Sequence, residues 1–189
     1  MEHLAKLFGS SARLKTVRLF VFNQGASFTT SDIALRTKLS KDVVRRELTN
    51  LIASGLVLKK GIGTLVRYQT NPRFEQLDAL DSFIRDTTNV RPKNILTAFK
   101  RVGTLKLVVL SGFFMGVIES QVDLLVVGDR LEENKLAKTV RGLEAELGRE
   151  IRYASLTTED FRYRFGVYDR LLRDVFDYPH RLLVDKIGL

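Results

Sequence analysis

A helix-length run from Ser40 to Ser54 sets Lys41, Arg45, Arg46 and Thr49 on the side opposite its apolar stripe. Such a surface suits a polyanion. Lysine supplies a point charge, arginine a planar fork of parallel N–H donors, and threonine a hydroxyl that both donates and accepts. Other chemistries are poorly supplied. Cysteine is absent, which removes disulfides, thiolate metal sites and a thiol nucleophile. His3 and His180 are the two imidazoles of the chain and lie far apart in sequence, which argues against a multi-histidine metal site or a Ser/His/Asp hydrolase.

Charge distribution points the same way. The 189 residues carry a formal charge of +9, and residues 1–70 hold 12 Lys and Arg against 4 Asp and Glu, a net of +8. The remaining residues are nearly balanced at +1. An excess concentrated in one segment is what a polyanion-binding module requires. With 44% hydrophobic residues the chain can bury a substantial core. The apolar stretch from Leu107 to Ile118 falls short of the roughly 20 residues that a membrane-spanning helix needs. The start Met1-Glu2-His3-Leu4 lacks the basic and apolar regions of a secretory signal, so a cytoplasmic protein without membrane association is expected.

The elements that must position these cations follow from periodicity. Leu14, Val17, Phe20 and Val21 predict a core-forming helix over Ser11 to Gln24. Thr29 and Asp32 form a capping-box pattern at the start of a short helix that runs to about Lys38. Ser40 is suited to cap the helix from Lys41 to Ser54, with Val44, Leu48, Leu51 and Ile52 as its buried stripe and Gly55 as its terminator. Leu56 to Lys60 and Thr64 to Gln69, on either side of Gly61-Ile62-Gly63, predict a hairpin. Three helices followed by a basic hairpin within residues 1–72 resemble a winged helix-turn-helix, the DNA-binding module of many prokaryotic transcription regulators. The resemblance implies that Ser40, Lys41, Arg45, Arg46, Thr49, Lys59, Lys60 and Arg67 contact double-stranded DNA. Arg45, Arg46 and Thr49 are then the candidates for base edges, and Lys41, Lys59, Lys60 and Arg67 for phosphates.

Residues 73–103 are expected to form a helical linker and candidate dimerisation segment, with an amphipathic helix from Phe74 to Ile84, a break at Arg91-Pro92 and a second helix from Lys93 to Val102. From residue 104 the period changes. Leu105 to Leu110, Val122 to Val127 and Ile151 to Leu156 read as strands, and Leu136, Val140, Leu143 and Leu147 mark a helix between the last two. The chain is therefore expected to be α+β, with the strands of residues 104–189 in an α/β layer.

Leu110-Ser111-Gly112 followed by Ser120-Gln121-Val122-Asp123-Leu124-Leu125-Val126 resembles the minimal nucleotidyltransferases of the polymerase-beta-like superfamily. Those enzymes use a Gly-Ser turn to hold a triphosphate and a strand bearing two metal-binding carboxylates. Here the pair is reversed, Gln121 stands at the first carboxylate position, and Arg152 lies where a further carboxylate would be useful. The resemblance implies a catalytically degenerate domain with Ser111, Gly112 and Asp123 as candidates for a retained nucleotide or phosphate pocket, equally readable as a tight turn and the acid at a strand edge. No catalytic residue, metal or other cofactor is assigned, although Glu119 lies close enough in sequence to substitute for the missing carboxylate. The expectation is a homodimeric, sequence-specific DNA-binding transcriptional regulator with an inactive assembly or ligand-sensing domain. The alternatives are an active nucleotidyltransferase of antitoxin type recruited to DNA, and an adaptor whose winged helix contacts protein.

Overall fold

The computed structural model describes residues 2–88, 92–117 and 120–189. It is an α+β structure with two separate sheets. The chain divides into two compact units, Met1–Val90 with Arg141–Arg149, and Arg91–Val140 with Glu150–Leu189.

In the first unit, a short helix α1 (Glu2–Leu7) precedes α2 (Ser11–Phe22), which Ser10 caps by accepting the Arg13 amide. A two-residue strand β1 (Ser27–Phe28) leads into α3 (Thr30–Thr37). Both halves of the capping box form. Thr29 Oγ1 accepts the Asp32 amide, and the Asp32 carboxylate accepts the Thr29 amide at 2.8 Å. That backbone bond, with the Thr29 hydroxyl next, holds the Asp32 carboxyl below its ordinary range. Then come α4 (Lys41–Ala53), β2 (Val57–Lys60), β3 (Arg67–Thr70) and α5 (Leu77–Thr87). The hairpin pairs Lys60 with Arg67 and Lys59 with Tyr68, and β1 adds to its other edge in the order β1-β3-β2.

One core holds these elements together. It gathers Leu14, Val17, Phe20 and Val21 of α2 with Ile33, Val44, Leu48 and Leu51, and with Leu77 and Ile84 of α5. Part of the segment expected as a linker therefore belongs to this core. The stripe expected on α4 is corrected at one position: Ile52 is 36% exposed. Glu47 of the same helix is buried, and Arg13 Nε donates to it at 2.9 Å, tying α4 to the start of α2. The turn after residue 147 also packs here. Arg18 Nη1 donates to the Glu146 carbonyl at 2.8 Å and Asn23 Nδ2 to the Gly148 carbonyl at 2.7 Å. Gly148 has φ +77°, and a Cβ there would sit 2.6 Å from the Arg18 backbone, so glycine alone fits.

The second unit contains α6 (Pro92–Phe99), β4 (Thr104–Leu110), β5 (Leu124–Asp129), α7 (Glu133–Leu147, whose end lies in the first unit), β6 (Tyr153–Leu156), α8 (Thr158–Gly166), α9 (Arg170–Phe176) and β7 (Arg181–Asp185). The sheet order is β6-β5-β4-β7. Strands β4 and β5 are antiparallel, β5 and β6 are parallel with α7 between them in sequence, and β7 runs antiparallel to β4. The first three strands match the sequence expectation apart from shifts of one or two residues at their ends. β7 was not foreseen, because Arg181-Leu182-Leu183-Val184-Asp185 is short and bounded by charge. Leu107 to Leu110 and Leu124 to Val127 are all buried, so both faces of the central pair are covered. On one face Leu107, Val109, Leu125 and Val127 pack with Phe161 of α8 and Leu172 and Val175 of α9.

Arg91 of the expected break and Glu119 both lie outside the described residues. Among those described, no helix is long and apolar enough to cross a membrane.

Candidate functional site

α4 is oriented by its buried side. Val44, Leu48 and Leu51 enter the core and Glu47 is held by Arg13, which turns Lys41, Arg45, Arg46, Thr49 and Asn50 to solvent. Each candidate then has a definite local role. Ser40 is the exposed N-cap, its hydroxyl oxygen accepting the Val43 amide at 3.4 Å. Arg45 Nη1 lies 2.6 Å from Asp42 Oδ1 on the same helix. Both partners are largely exposed, so this pair yields readily to a competing anion. The Thr49 hydroxyl donates to the Arg45 carbonyl at 3.1 Å and keeps its acceptor capacity. Arg67 Nη1 donates to the Ser27 carbonyl at 3.1 Å, which leans it toward β1.

Lys41, Arg46, Lys59 and Lys60 are different. All four are exposed, and none makes an ion pair or side-chain hydrogen bond among the described residues. An isolated cation in water is common, but here one helix and the hairpin of the same unit each carry two that no side chain among the described residues pairs. Sequence reading missed the two large apolar side chains between the strands, Ile62 and Leu65, at 89% and 79% exposed. Their types pointed to the core, and no periodicity within a six-residue connection could have placed them outside.

Ser111, Gly112 and Asp123 do come together in the second unit, and they bond to one another and to their neighbours. The Ser111 hydroxyl donates to the Val122 carbonyl at 2.6 Å, and the side chain is fully buried. Gly112 has φ +48°, and a Cβ there would lie 2.4 Å from Asp123 Oδ1 and 2.8 Å from the Val122 carbonyl oxygen. Asp123 is also fully buried, with four donors on its two oxygens. Oδ1 accepts the Phe113 amide at 2.8 Å and Arg152 Nη2 at 2.8 Å. Oδ2 accepts the Arg152 amide at 2.9 Å and Arg152 Nε at 3.0 Å.

Burial by itself disfavours the carboxylate, but the forked Arg152 guanidinium and the Phe113 and Arg152 amides outweigh it and hold the carboxyl below its usual range. The same pairing raises the guanidinium of Arg152. Asp123 is thus held as the carboxylate, with both oxygens bonded by donors of the protein itself. A second acid closes the same loop. Asp174 Oδ2 accepts the Gln121 amide at 2.8 Å and the Ser120 hydroxyl at 2.9 Å. Among the described residues, no three His, Cys, Asp or Glu side chains converge as a metal site.

An open cleft of about 1140 Å³ lies on the outer side of this pair, in the second unit alone. Arg152, Arg170, Arg173, Tyr168 and Tyr178 line it with three carboxylates, Asp169, Asp174 and Asp177, the last of them 3.2 Å from Arg173 Nε. Tyr168 is 81% exposed and has φ +54°, a left-handed conformation that is costly for an aromatic residue. No periodic signal marks this cleft, since its residues come from the segment before β5, the start of β6, α8, α9 and the loops at either end of α9. Comparison of the chain with models of protein families, with curated proteins and with solved structures found no match.

Proposed function

We propose that the protein is a sequence-specific regulator of transcription that binds double-stranded DNA, with the first unit acting as a winged helix-turn-helix. The observation that carries this reading is the set of exposed cations Lys41, Arg46, Lys59 and Lys60 on α4 and the hairpin, which no side chain among the described residues pairs. In this mechanism Lys41, Lys59, Lys60 and Arg67 engage phosphates and release condensed counterions. Arg46 and Thr49 face base edges in the major groove, and Arg45 joins them by exchanging Asp42 for a guanine edge or a phosphate. Ser40 starts the helix and directs its amide end to the backbone.

The second unit, in this reading, is a nucleotidyltransferase-like fold turned to assembly or ligand sensing, and the protein acts as a homodimer on paired half-sites. The Asp123–Arg152 pair supports a non-catalytic role, because in-line transfer on two metal ions needs open, converging carboxylates. A phosphate-bearing ligand would find Arg170 in the open cleft, and Arg173 on displacing Asp177, rather than Ser111 and Gly112, which do not line it.

Duplex binding as a function of salt tests the proposal. Affinity is expected to fall steeply with salt, and each of Lys41→Ala and Lys59→Ala to reduce the logarithmic slope by about 0.9. Arg46→Ala is expected to relax base preference at one position of a sequence selected from a random library, where a well-placed arginine contributes about 1–3 kcal/mol of discrimination. Salt-insensitive or absent duplex binding would defeat the reading.

A further inference from the structure

The hairpin tip carries an arrangement that phosphate contacts do not explain. Ile62 is the most exposed large apolar side chain among the described residues, and Leu65 lies three positions on in the same connection. The Leu65 amide donates to the Ile62 carbonyl at 3.2 Å, so the two residues stand at the ends of one turn. Gly61 makes that turn tight: its φ is +83°, and a Cβ there would sit 2.4 Å from the Leu65 carbonyl oxygen. Immediately below the tip, Lys60 and Arg67 are direct cross-strand partners and both are exposed. Arg67 also donates to the Ser27 carbonyl, which carries its guanidinium toward β1 and away from Lys60, so the two cations stand apart across the sheet. The tip is therefore apolar, with one exposed cation on each strand beneath it.

We infer that Ile62 and Leu65 form an apolar wedge that enters the minor groove of duplex DNA and partly unstacks a base step, while Lys60 and Arg67 hold the flanking phosphates. This inference rests on duplex DNA being the partner. The dimensions agree with it. Ile62 is two residues beyond Lys60, a reach of at most about 7 Å at roughly 3.3 Å per residue. The minor groove is about 7.5 Å deep and about 6 Å wide, so cations at its rim place the tip near its floor. Aliphatic wedges of this kind kink the duplex by about 20–90° toward the major groove. They favour pyrimidine–purine steps, which cost least to open, so the wedge adds sequence preference where no base edge is read. A bilayer fits less well, since two aliphatic side chains bury too little apolar surface to anchor a protein and Lys41 and Arg46 present a second cationic surface on a rigid helix.

The test uses the full chain, duplexes recovered by selection from a random-sequence library, and an adenine analogue whose fluorescence rises on unstacking, placed at each step in turn. End-to-end energy transfer reports bending. The expected result is a fluorescence rise confined to one step per bound hairpin, together with a bend. Both should be lost in the double variant Ile62→Ser, Leu65→Ser, whose affinity falls about tenfold with its salt slope unchanged, because no phosphate contact is removed. Lys60→Ala should do the converse, lowering the slope by about 0.9 while retaining the fluorescence rise. Steep, salt-dependent binding with no unstacking at any step, and equal affinity of the double variant, would overturn the wedge and leave the regulator reading standing. Absence of duplex binding by the unmodified chain would remove both. Binding to anionic phosphatidylserine vesicles that the double variant loses, without unstacking of DNA, would also overturn the wedge.

Discussion

The exposed cations of the first unit and Asp123 of the second are both charged groups that sequence reading marks as functional, and the structure treats them in opposite ways. Lys41, Arg46, Lys59 and Lys60 stand in water without a side-chain partner among the described residues, on elements whose cores are complete without them. Asp123 is buried and accepts four hydrogen bonds, two from a forked guanidinium and two from backbone amides. The difference lies in what each charge has already been given. A charge whose partners are supplied within the fold organises that fold, and a charge left to solvent remains available to something outside it.

The sharpest way to break this contrast is to remove the guanidinium. Arg152→Ala leaves a fully buried carboxylate with two amide donors and no cation, and should cost about 4 kcal/mol of stability, read from urea unfolding followed by circular dichroism and by exchange of β4–β6 amides. Its pH dependence should also flatten. In the unaltered chain the folded Asp123 carboxyl titrates below its unfolded value. The pair therefore adds stability above the ordinary carboxylate range near pH 4, and that contribution is lost as the pH falls through the range toward the folded value. Without Arg152 the lowering by the guanidinium is gone while burial still opposes the charged form, so the variant should lose less stability than the unaltered chain as the pH falls through that range. A urea midpoint that declines in parallel in both proteins between about pH 7 and about pH 3 would contradict this assignment.

Two glycines sharpen the same point. Gly112→Ala should cost about 3 kcal/mol, because the new Cβ collides with Asp123 Oδ1 and the backbone must keep a positive φ. Gly116 also has a positive φ, at +75°, but its Cβ would meet nothing within 4 Å, so Gly116→Ala should cost only about 1 kcal/mol of backbone strain. Equal losses in the two would mean that the Ser111–Gly112 turn is not held against Asp123.

Smaller effects are expected at α4. Ser40→Ala should lower stability by about 1 kcal/mol through loss of the cap, whatever its effect on DNA. Lys41→Ala and Arg46→Ala should change stability by less than about 0.5 kcal/mol, within the scatter of exposed substitutions, while altering duplex affinity. A stability loss above about 1 kcal/mol in either would show that the cation belongs to the fold after all.

Helices with strong local signals were legible in the sequence. The Thr29–Asp32 box, the Ser40 cap and the left-handed Gly55 terminator appear where the residue types required, since each depends on groups within a few positions of one another. The burial of Glu47 was hidden because its partner, Arg13, is 34 positions away. The exposure of Ile52 was hidden for a related reason: a helical stripe gives the direction of burial but not where the covering elements stop. In the second unit the Ser111–Gly112 turn and the acid of the second strand were both visible as residues. Their mutual closure was not, because it depends on Arg152, just before β6, and on Asp174 of α9 sealing Ser120 and Gln121.

The sequence by itself determined the α+β character, the two regimes of hydrophobic period, the concentration of positive charge in the first 70 residues and the side of α4 that would face outward. These follow from composition and short-range pattern, which act along the chain. Only the tertiary structure decided which charges are spent inside the protein. It joined Asp123 to Arg152 across 29 positions, brought β7 to the edge of β4, and left Ile62 and Leu65 in solvent with exposed cations on the strands beneath them. The physical reason is that pairing, burial and exposure are set by which distant segments meet, and a residue's type fixes what it can bond to but not whether that partner arrives.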